Sequence, residues 1–578
     1  MKVAEVWAPH AAKVELLLRE DRHPMARSDD GWWRSDVEVP GGASYAFSLD
    51  GGAPRPDPRG LRLPDGPHGW SAAFDPAAFP WTDEAWRGVP LDGAVLYELH
   101  VGTFTPAGTP DAAIERLPHL VDLGVDVVEL LPLAPFPGRH GWGYDGVAPY
   151  AVHEEYGGPV ALQRFVDAAH AAGLGVCLDV VYNHLGPDGS YLEEFGPYLT
   201  DTHHTPWGKA LNLDSVGCDP VRQWVLDNAL QWLGDFHVDG LRLDAVHELH
   251  DDSAVHVLEQ LSAAVDEFGS RAGRAVWLIA ESDRNDPRTV TPRGGDRAAG
   301  GLGVHAQWAD DVHHALHVAL TREAQGYYAD FTDPGALPKV MSSPFFHDGS
   351  HSSFRGRAHG RPVDKATLPG WRFVASLQTH DQVGNRAGGE RLSMLVDPGL
   401  LACGAAILLT SPWTPMLFMG EEWGARTPWL YFTDHTAPEL VEAVREGRRA
   451  EFAEHGWASS EVPDPQDPKT FERSKLDWSE LGEEPNGRIL RWYRDLIALR
   501  RSVPALRDPR LDRVQAEYDA ATGRFSMRRG DHRVLVNLGR EPLTFETGGA
   551  VVLGWEPSLS VRAGRVDVAP RCAVIVGP

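Results

Sequence analysis

From residue 94 onward, nearly continuous apolar runs alternate with amphipathic segments, and this alternation limits the fold more than any other feature. The apolar runs predict strands at residues 94–101, 124–131, 175–182, 238–243, 275–280, 304–308, 372–378 and 415–419. The segments between them predict helices at residues 111–123, 160–172, 220–236, 254–268, 313–321 and 398–409. Strands that are apolar at nearly every position are buried on both faces, as in a parallel sheet covered by helices. Eight such strands predict an α/β fold, a (β/α)8 TIM barrel.

Both ends of the sequence have a different pattern. Up to about residue 86, short alternating runs such as 3–7 and 44–48 lie between Gly and Pro turns, which predicts a small β-sandwich. From about residue 510, the runs RFSMRR, RVLVNL, AVVLGW and CAVIVG predict a compact antiparallel β domain. Since 578 residues exceed what one core uses, we expect three domains. They are an N-terminal β-sandwich of the carbohydrate-binding, early-set-like kind at 1–88, the barrel with its loop excursions at 89–508, and a C-terminal β domain at 509–578.

Charge and composition argue against several classes of partner. Lys and Arg number 54 against 82 Asp and Glu, and the resulting net charge of −28 repels nucleic acid and anionic lipid. The N-terminal segment lacks the pattern of a signal peptide, and no apolar run is long enough to span a membrane, so a cytoplasmic protein is expected. The cysteines, at positions 177, 218, 403 and 572, form no paired metal motif and are expected to be reduced.

Polar residues at the ends of the apolar strands are the candidates for catalysis, because barrel active sites lie where the strands finish. The segments LDVVYNH, GLRLDAVHE, LIAES and SLQTHDQ supply Asp179, Asn183, His184, Arg242, Asp244, Glu281, His380 and Asp381. Arg242 and Asp244 are two residues apart on one strand, so their side chains face the same way. We therefore expect the carboxylates of Asp244, Glu281 and Asp381 to converge on one cavity.

This set of side chains suits the cleavage of a glycosidic bond. That reaction needs one carboxylate to attack the anomeric carbon and one carboxylic acid to protonate the leaving oxygen. The guanidinium of Arg242 favours an ionised Asp244, whereas Glu281, in a closed pocket among other carboxylates, is expected to hold its proton. The residues alone therefore predict a barrel enzyme that acts on α-glucans.

The motifs DVVYNH, GLRLDAVHE, AES and HDQ resemble, in order and in spacing, the four signature regions of the α-amylase superfamily of glycoside hydrolases. The resemblance implies that Asp244 is the nucleophile, Glu281 the general acid/base and Asp381 the carboxylate that stabilises the transition state. It also implies subsite roles for His184, Arg242, His380 and the stacking aromatic Tyr144 of HGWGYDG.

Over roughly residues 1–500, longer segments are similar to the maltooligosyltrehalose trehalohydrolases within that superfamily. The segments are ESDRNDPRTVTPR, QWADDVHHALH, GYYADF, QTHDQVGNR, LLTSPWTPMLFMGEEWGA and PDPQDPKTFERSKLDW. The similarity implies retaining hydrolysis of the α-1,4 bond beside a terminal trehalose unit. It also implies a place in trehalose biosynthesis beside a maltooligosyltrehalose synthase, with no cofactor. Further substrate contacts are expected from His247, Asp310, Asp311, His313, Phe345, Phe346, Gln382, Asn385 and Arg386.

Some alternatives remain open from the sequence. A glucan branching or debranching enzyme would share the barrel and all three carboxylates, and a non-catalytic carbohydrate-binding relative would share the fold. His313 and His317 have the spacing of a zinc pair, but no HExxH motif accompanies them, so we expect no metal site. The tryptophans of predicted mouth loops are candidates either for stacking on sugar rings or for core packing. They are Trp142, Trp207, Trp308, Trp413, Trp423 and Trp429.

Overall fold

The N-terminal region forms two antiparallel sheets, in agreement with the predicted short strands. The computed structural model describes residues 2–294, 300–454 and 462–578. The strands of this region are β1 (Lys2–Trp7), β2 (Val14–Leu18), β3 (Asp21–Pro24), β4 (Ala26–Arg27), β5 (Trp32–Val39), β6 (Ser44–Leu49) and β7 (Ser71–Ala72). One sheet has the order β1-β5-β4 and the other β3-β2-β6-β7. Trp33, Tyr45 and Phe47 are buried in the core of this region.

Eight parallel strands close into a barrel, which confirms the predicted fold class. In chain order the strands of this region are β8 (Leu96–Leu99), β9 (Val127–Leu130), β10 (Gly175–Val180), β11 (Leu199–Thr205), β12 (Gly208–Leu211), β13 (Gly240–Leu243), β14 (Trp277–Ala280), β15 (Ala306–Trp308), β16 (His351–Ser352), β17 (Arg357–Ala358), β18 (Phe373–Ser376) and β19 (Thr414–Phe418). The pairs β11–β12 and β16–β17 are hairpins outside the barrel. Every residue of the eight barrel strands is buried, which explains their nearly continuous apolar sequences.

Each helix predicted from the sequence has a counterpart among the helices of the structure. They are α1 (Val101–Phe104), α2 (Pro110–Ile114), α3 (Leu117–Leu123), α4 (Gly158–Ala171), α5 (Leu192–Phe195), α6 (Cys218–Asp235), α7 (Val257–Ala272), α8 (Asp310–Thr321), α9 (Ala336–Val340), α10 (His380–Gly384), α11 (Leu392–Leu395), α12 (Pro398–Thr410), α13 (Pro438–Glu454), α14 (Pro468–Arg473), α15 (Asn486–Ser502) and α16 (Pro504–Arg507).

Two features of the helices differ from the sequence prediction. The single helix expected at residues 111–123 is two helices, α2 and α3. Pro118 causes the break, because its ring excludes the carbonyl of residue 114, where α2 ends. The long helices α13 and α15 were not predicted at all. Of these, α15 packs against α12 and α3.

The C-terminal region is an antiparallel β structure, as predicted. Its strands are β20 (Val514–Asp519), β21 (Arg524–Arg529), β22 (His532–Asn537), β23 (Leu543–Glu546), β24 (Ala550–Gly554), β25 (Arg565–Val568) and β26 (Cys572–Gly577). Five of them form a sheet in the order β20-β21-β22-β26-β24, and β22 and β26 contact α12 of the barrel. The domain boundaries at residues 88 and 508 stay a prediction.

Two further expectations concern the whole chain. All four cysteines are free thiols, and three of them are buried. Within the described ranges, no helix combines the length and the apolar character needed to cross a membrane.

Candidate active site

A cavity of about 410 Å³ opens where the barrel strands end. Nine predicted site residues line it: Tyr144, His184, Arg242, Asp244, His247, Glu281, His380, Asp381 and Asn385. The strand ends therefore bring together side chains from segments more than 200 residues apart. A larger cleft of about 760 Å³ lies between α8, α12 and the C-terminal strands, and none of the predicted site residues lines it.

Arg242 connects the carboxylates of this cavity. It is the register partner of Asp179 between β10 and β13. Its Nη1 donates to Asp179 Oδ2 and to Asp244 Oδ1, both at 2.8 Å, and its Nη2 lies 2.8 Å from Glu281 Oε2. Burial disfavours the charged guanidinium, but Asp179 and Glu281 outweigh this effect and raise the pKa of Arg242 well above its ordinary value. One permanent positive charge therefore contacts three carboxyl groups.

The chain turns sharply after Asp244, and this turn links the two main carboxyl groups. Ala245 has a φ of 37°, in the left-handed region that side chains rarely adopt. In this conformation its N–H donates to Glu281 Oε2 at 2.9 Å. The second oxygen of Asp244 accepts a hydrogen bond from Asn183 Nδ2 at 2.8 Å. Both carboxyl groups are thus oriented by fixed donors before substrate binds.

Asp381 follows His380 at the start of α10 and is half-buried at the cavity wall. Its Oδ1 accepts a hydrogen bond from Asn385 Nδ2 at 2.7 Å. Burial raises the pKa of Asp381 above its ordinary value; His380 opposes this shift and Glu281 adds to it. The third predicted carboxyl group therefore lies in the same cavity as Asp244 and Glu281.

Tyr144 and His380 form one wall of the cavity. Their rings stack with centroids 5.1 Å apart, and the Tyr144 hydroxyl lies 2.9 Å from His380 Nε2. The same hydroxyl donates to Asp179 Oδ2 at 2.7 Å. The other ring nitrogen of His380, Nδ1, lies 2.6 Å from Glu98 Oε1. Burial opposes a charged ring, but the contact with Glu98 outweighs it and raises the pKa of His380 to about 9.

Asp310 and Asp311 begin α8, outside the residues that line the cavity. Burial, together with the charges of Glu281 and Asp381, raises the pKa of Asp310 to about 8. Asp311 Oδ2 accepts hydrogen bonds from the backbone N–H groups of Phe346 at 2.7 Å and residue 347 at 2.9 Å. Asp311 thus braces the loop that carries Phe346, and its expected contact with substrate stays a prediction.

Phe345 and His313 lie behind the cavity wall. Phe345 is fully buried and packs edge-on against Phe373, with centroids 5.7 Å apart. His313 is buried and stacks on His317 at 5.5 Å. Because neither side chain lines the cavity, their influence on substrate would pass through neighbouring residues.

Gln382 and Arg386 are also engaged with the protein. The amide oxygen of Gln382 accepts a hydrogen bond from the Thr379 hydroxyl. Arg386 forms two hydrogen bonds with the carboxylate of Glu323, at 2.8 and 2.9 Å. Neither residue lines the cavity, since Gln382 is bonded to the residue before α10 and Arg386 to a residue just after α8.

The tryptophans separate into two groups. Trp142 and Trp207 line the cavity, and Trp207 is 51% exposed and stacks on His184 with centroids 4.5 Å apart. The others are buried and belong to the core: Trp308, Trp413, Trp423 and Trp429. Packing is therefore the role of those four. Trp207 offers an exposed aromatic face for sugar, whereas Trp142 is itself buried and stacks on Trp429 with centroids 5.5 Å apart.

Four lining residues were not found from the sequence: Asp145, Ala245, Tyr431 and Thr433. Asp145 follows Tyr144 in the YDG motif, which was a usable signal. Tyr431 and Thr433 lie in an irregular loop after β19, and nothing in its composition marks a site.

The carboxylates of the cavity already have protein donors, and a cluster with metal-ligand spacing lies elsewhere. In the part of the chain that the structure describes, His203, Asp214 and Asp252 have ligand atoms within 4.8 Å of one another. Asp214 Oδ2 there accepts a hydrogen bond from the N–H of Asp252 and lies 3.0 Å from His203 Nε2. None of the three lines the cavity.

Two family models match parts of this chain. The family model for the "Alpha amylase, catalytic domain" matches residues 77–205. A model for a domain of unknown function, DUF3459, matches residues 509–576. The first match contains β9, β10 and the Tyr144 loop, and the second spans the C-terminal strands.

The chain is similar over nearly its full length to proteins of one kind. It is 55% identical to the malto-oligosyltrehalose trehalohydrolase of Arthrobacter ramosus, over 99% of this chain and 98% of that protein. It is 50% identical to that of Rhizobium sp. (strain M-11), over 99% and 97%. A crystal structure of a Salmonella typhimurium protein, provisionally named an alpha amylase, has a TM-score of 0.91 and 37% identity, and covers 99% of this chain and 97% of that chain. The chain therefore belongs to the malto-oligosyltrehalose trehalohydrolase family, whose members are glycoside hydrolases with an α-amylase catalytic domain.

Proposed function

We propose that this chain hydrolyses the α-1,4-glucosidic bond next to the terminal trehalose unit of malto-oligosyltrehalose and releases trehalose. The observation that carries the proposal is the convergence of Asp244, Glu281 and Asp381 on one cavity, in a chain of this family. A non-catalytic carbohydrate-binding relative needs the fold but not three carboxyl groups oriented by fixed donors.

In the proposed reaction, Asp244 attacks the anomeric carbon while the carboxylic acid of Glu281 gives its proton to the leaving oxygen. The carbon–oxygen bond breaks and a covalent glycosyl ester with Asp244 forms. The Glu281 carboxylate then takes a proton from water, and the oxygen of that water displaces Asp244. Asp381 would hold sugar hydroxyls as positive charge develops on the ring.

The contacts of Arg242 support a retaining mechanism. Retaining pairs of carboxyl groups are about 5–5.5 Å apart, whereas inverting pairs are about 6.5–9.5 Å apart to admit a water. Asp244 and Glu281 each accept a 2.8 Å contact from a different amino nitrogen of the same guanidinium. This shared partner holds the two carboxyl groups close together and favours the shorter separation.

The leaving-group side of the cavity is marked by Glu281, because this residue protonates the leaving oxygen. Two residues later, Asp283 forms an ion pair with Arg355, which holds the loop between β16 and β17 near the acid. Next to Arg355, the Phe354 ring is 59% exposed and lies 5.9 Å from the ring of Tyr327. An exposed aromatic face beside charged groups suits a disaccharide, so we propose that Phe354 contacts the trehalose end.

The test compares kcat/KM for a trehalose-terminated chain with that for a linear maltooligosaccharide of equal length. A linear chain leaves the polar groups of a trehalose subsite unpaired, which costs a few kcal/mol, so we expect a preference on the order of tenfold or more. Phe354→Ala should reduce the preference, whereas Val552→Ala, an exposed apolar side chain of the C-terminal region, should keep it. An unchanged preference in Phe354→Ala would remove this residue from the proposed subsite.

A glucan branching or debranching enzyme is the alternative, and absence of any preference in the wild type would favour it.

We further propose a cytoplasmic location and a functional pairing with a maltooligosyltrehalose synthase, because the substrate has to be made from a maltooligosaccharide. The acidic net charge of −28 supports a function without nucleic acid.

A further inference from the structure

Glu98 is a buried carboxylate of β8 that lies just outside the cavity lining. Both of its oxygens contact the same residue. Oε2 accepts a hydrogen bond from the backbone N–H of His380 at 2.9 Å, and Oε1 lies 2.6 Å from His380 Nδ1. The two contacts fix both the backbone and the ring of His380, although the residues are 282 positions apart.

The hydrogen bonds around His380 indicate that both ring nitrogens donate. Nδ1 faces a Glu98 oxygen, which accepts. Nε2 faces the Tyr144 hydroxyl, whose own hydrogen is directed to Asp179 at 2.7 Å. The oxygens of Asp179 in turn accept from Arg242. A histidine that donates from both nitrogens is an imidazolium.

We propose that Glu98 is a positioning residue for catalysis, which holds His380 as an imidazolium and so fixes the hydrogen-bond chain from His380 through Tyr144 and Asp179 to Arg242. Arg242 in turn contacts the proposed nucleophile, Asp244, and the proposed acid/base, Glu281. The inference rests on the proposed function for the roles of Asp244 and Glu281.

The alternative state of the chain shows what Glu98 contributes. If His380 is neutral with its proton on Nδ1, then Nε2 becomes an acceptor. The Tyr144 hydroxyl would then turn its hydrogen toward Nε2, and Asp179 would lose that donor. Arg242 would then donate to an Asp179 carboxylate that has lost the Tyr144 hydroxyl as a hydrogen-bond donor. The strength of the contacts that Arg242 makes with its three carboxyl groups would change as a result.

Other charges also act on the His380 ring. Titratable groups from the surrounding elements are Glu98 of β8, His100 before α1, Glu129 of β9, Tyr144, Asp179 of β10, Arg242 of β13 and the adjacent Asp381. Arg242 and His100 oppose the charged ring, and the acids favour it. Among the acids, Glu98 is the one with an oxygen on Nδ1. Burial opposes the charge, yet the pKa of His380 is raised to about 9, so the imidazolium persists at neutral pH and is lost as pH rises through that value.

The experiment measures kcat/KM against pH for wild type, Glu98→Gln, Glu98→Asp and Glu422→Gln. Glu422→Gln is a matched control, since Glu422 is also buried and lies 2.8 Å from a histidine nitrogen, that of His119, away from the cavity. We expect Glu98→Gln to lose at least tenfold and to shift the alkaline limb of the profile by at least one pH unit toward acid. Glu98→Asp keeps the charge and should keep the position of that limb. The control should keep the wild-type profile.

A double-mutant cycle with Tyr144→Phe separates positioning from simple stability. If Glu98 acts through the hydroxyl, Glu98→Gln should cost little in the Tyr144→Phe background, because the chain is already broken. The proposal would be overturned if folded Glu98→Gln kept the alkaline limb of the wild-type profile. It would also be overturned if the losses in kcat/KM of the two single variants multiplied in the double variant. If Glu98→Gln does not fold, a shifted alkaline limb in folded Glu98→Asp, which keeps the charge, would overturn the proposal. Trehalose release by the wild type is measured first, so failure of the proposed function is distinguished from failure of the Glu98 proposal.

Discussion

The guanidinium of Arg242 lies 2.8 Å from a carboxylate oxygen of Asp244. The two residues are two positions apart on β13, and the same side chain also reaches Glu281 and Asp179. Arg242 is thus the shared cation of the candidate active site, and its planar fork of donors makes this possible.

Arg242→Lys should therefore damage both stability and catalysis. A single ammonium group cannot satisfy three carboxyl groups at once, so at least one buried acid loses its partner, at a cost of about 3–5 kcal/mol. We expect kcat to fall at least a hundredfold and the free energy of unfolding to decrease in denaturant titrations. Activity within tenfold of wild type would show that the shared cation is dispensable.

Asp244→Asn and Glu281→Gln should each lower kcat by several orders of magnitude, because each keeps the shape and removes the reacting group. Added azide separates their roles. In Asp244→Asn, azide should replace the nucleophile and give the β-glycosyl azide, whereas in Glu281→Gln it should attack the glycosyl-enzyme and give the α-azide. NMR of the products identifies the configuration, and the opposite assignment would exchange the two roles.

The buried Glu421, which follows β19, should make stability depend on pH. Its side chain accepts a hydrogen bond from the Tyr493 hydroxyl at 3.0 Å, and burial raises its pKa from 4.5 to about 8. The unfolded chain releases this proton above pH 4.5 while the folded chain keeps it up to about pH 8, so Glu421 lowers stability increasingly across that window.

Glu421→Gln removes that effect. Relative to wild type, the variant should gain about 1–3 kcal/mol of unfolding free energy between pH 5 and pH 8. The exposed Glu439→Gln on α13 is the control, for which no such gain is expected. Denaturant titrations at both pH values measure the difference, and equal differences at pH 5 and pH 8 would show that Glu421 ionises normally in the folded state.

Removal of metal ions should leave activity unchanged. The oxygens of Asp244 accept from Arg242 and Asn183, and an oxygen of Asp381 accepts from Asn385, so protein donors orient these carboxylates. Dialysis against EDTA followed by an activity assay measures this. Lost activity that calcium or zinc restores would contradict it, and His203→Ala would then show whether the cluster with Asp214 and Asp252 holds the ion.

The positions of the main carboxylates could be predicted from the sequence because two simple periodicities determine them. Alternation along a strand puts Arg242 beside Asp244, and the barrel gathers the ends of β13, β14 and β18 at one edge. These positions depend on local pattern and on the fold class alone. Tyr144 was instead indicated by the resemblance of HGWGYDG to the α-amylase superfamily.

Contacts between distant loops could not be predicted in this way. The sequence does not reveal that Glu98 contacts His380, or that Asp283 forms an ion pair with Arg355, because only the tertiary structure brings the members of each pair together. Phe345 and His313 were expected to contact substrate, but packing buries both side chains, and the sequence does not show that packing. Their types suited a sugar site, and only their neighbours decide which way they face.

A proton NMR time course of maltotriosyl trehalose with the wild-type protein tests the proposed reaction most directly. We expect the anomeric signal of free trehalose to grow together with that of maltotriose, and the new reducing end to be first the α anomer, because Asp244 and Glu281 act by double displacement. Release of glucose or maltose without trehalose, or a reducing end that is first β, would contradict it.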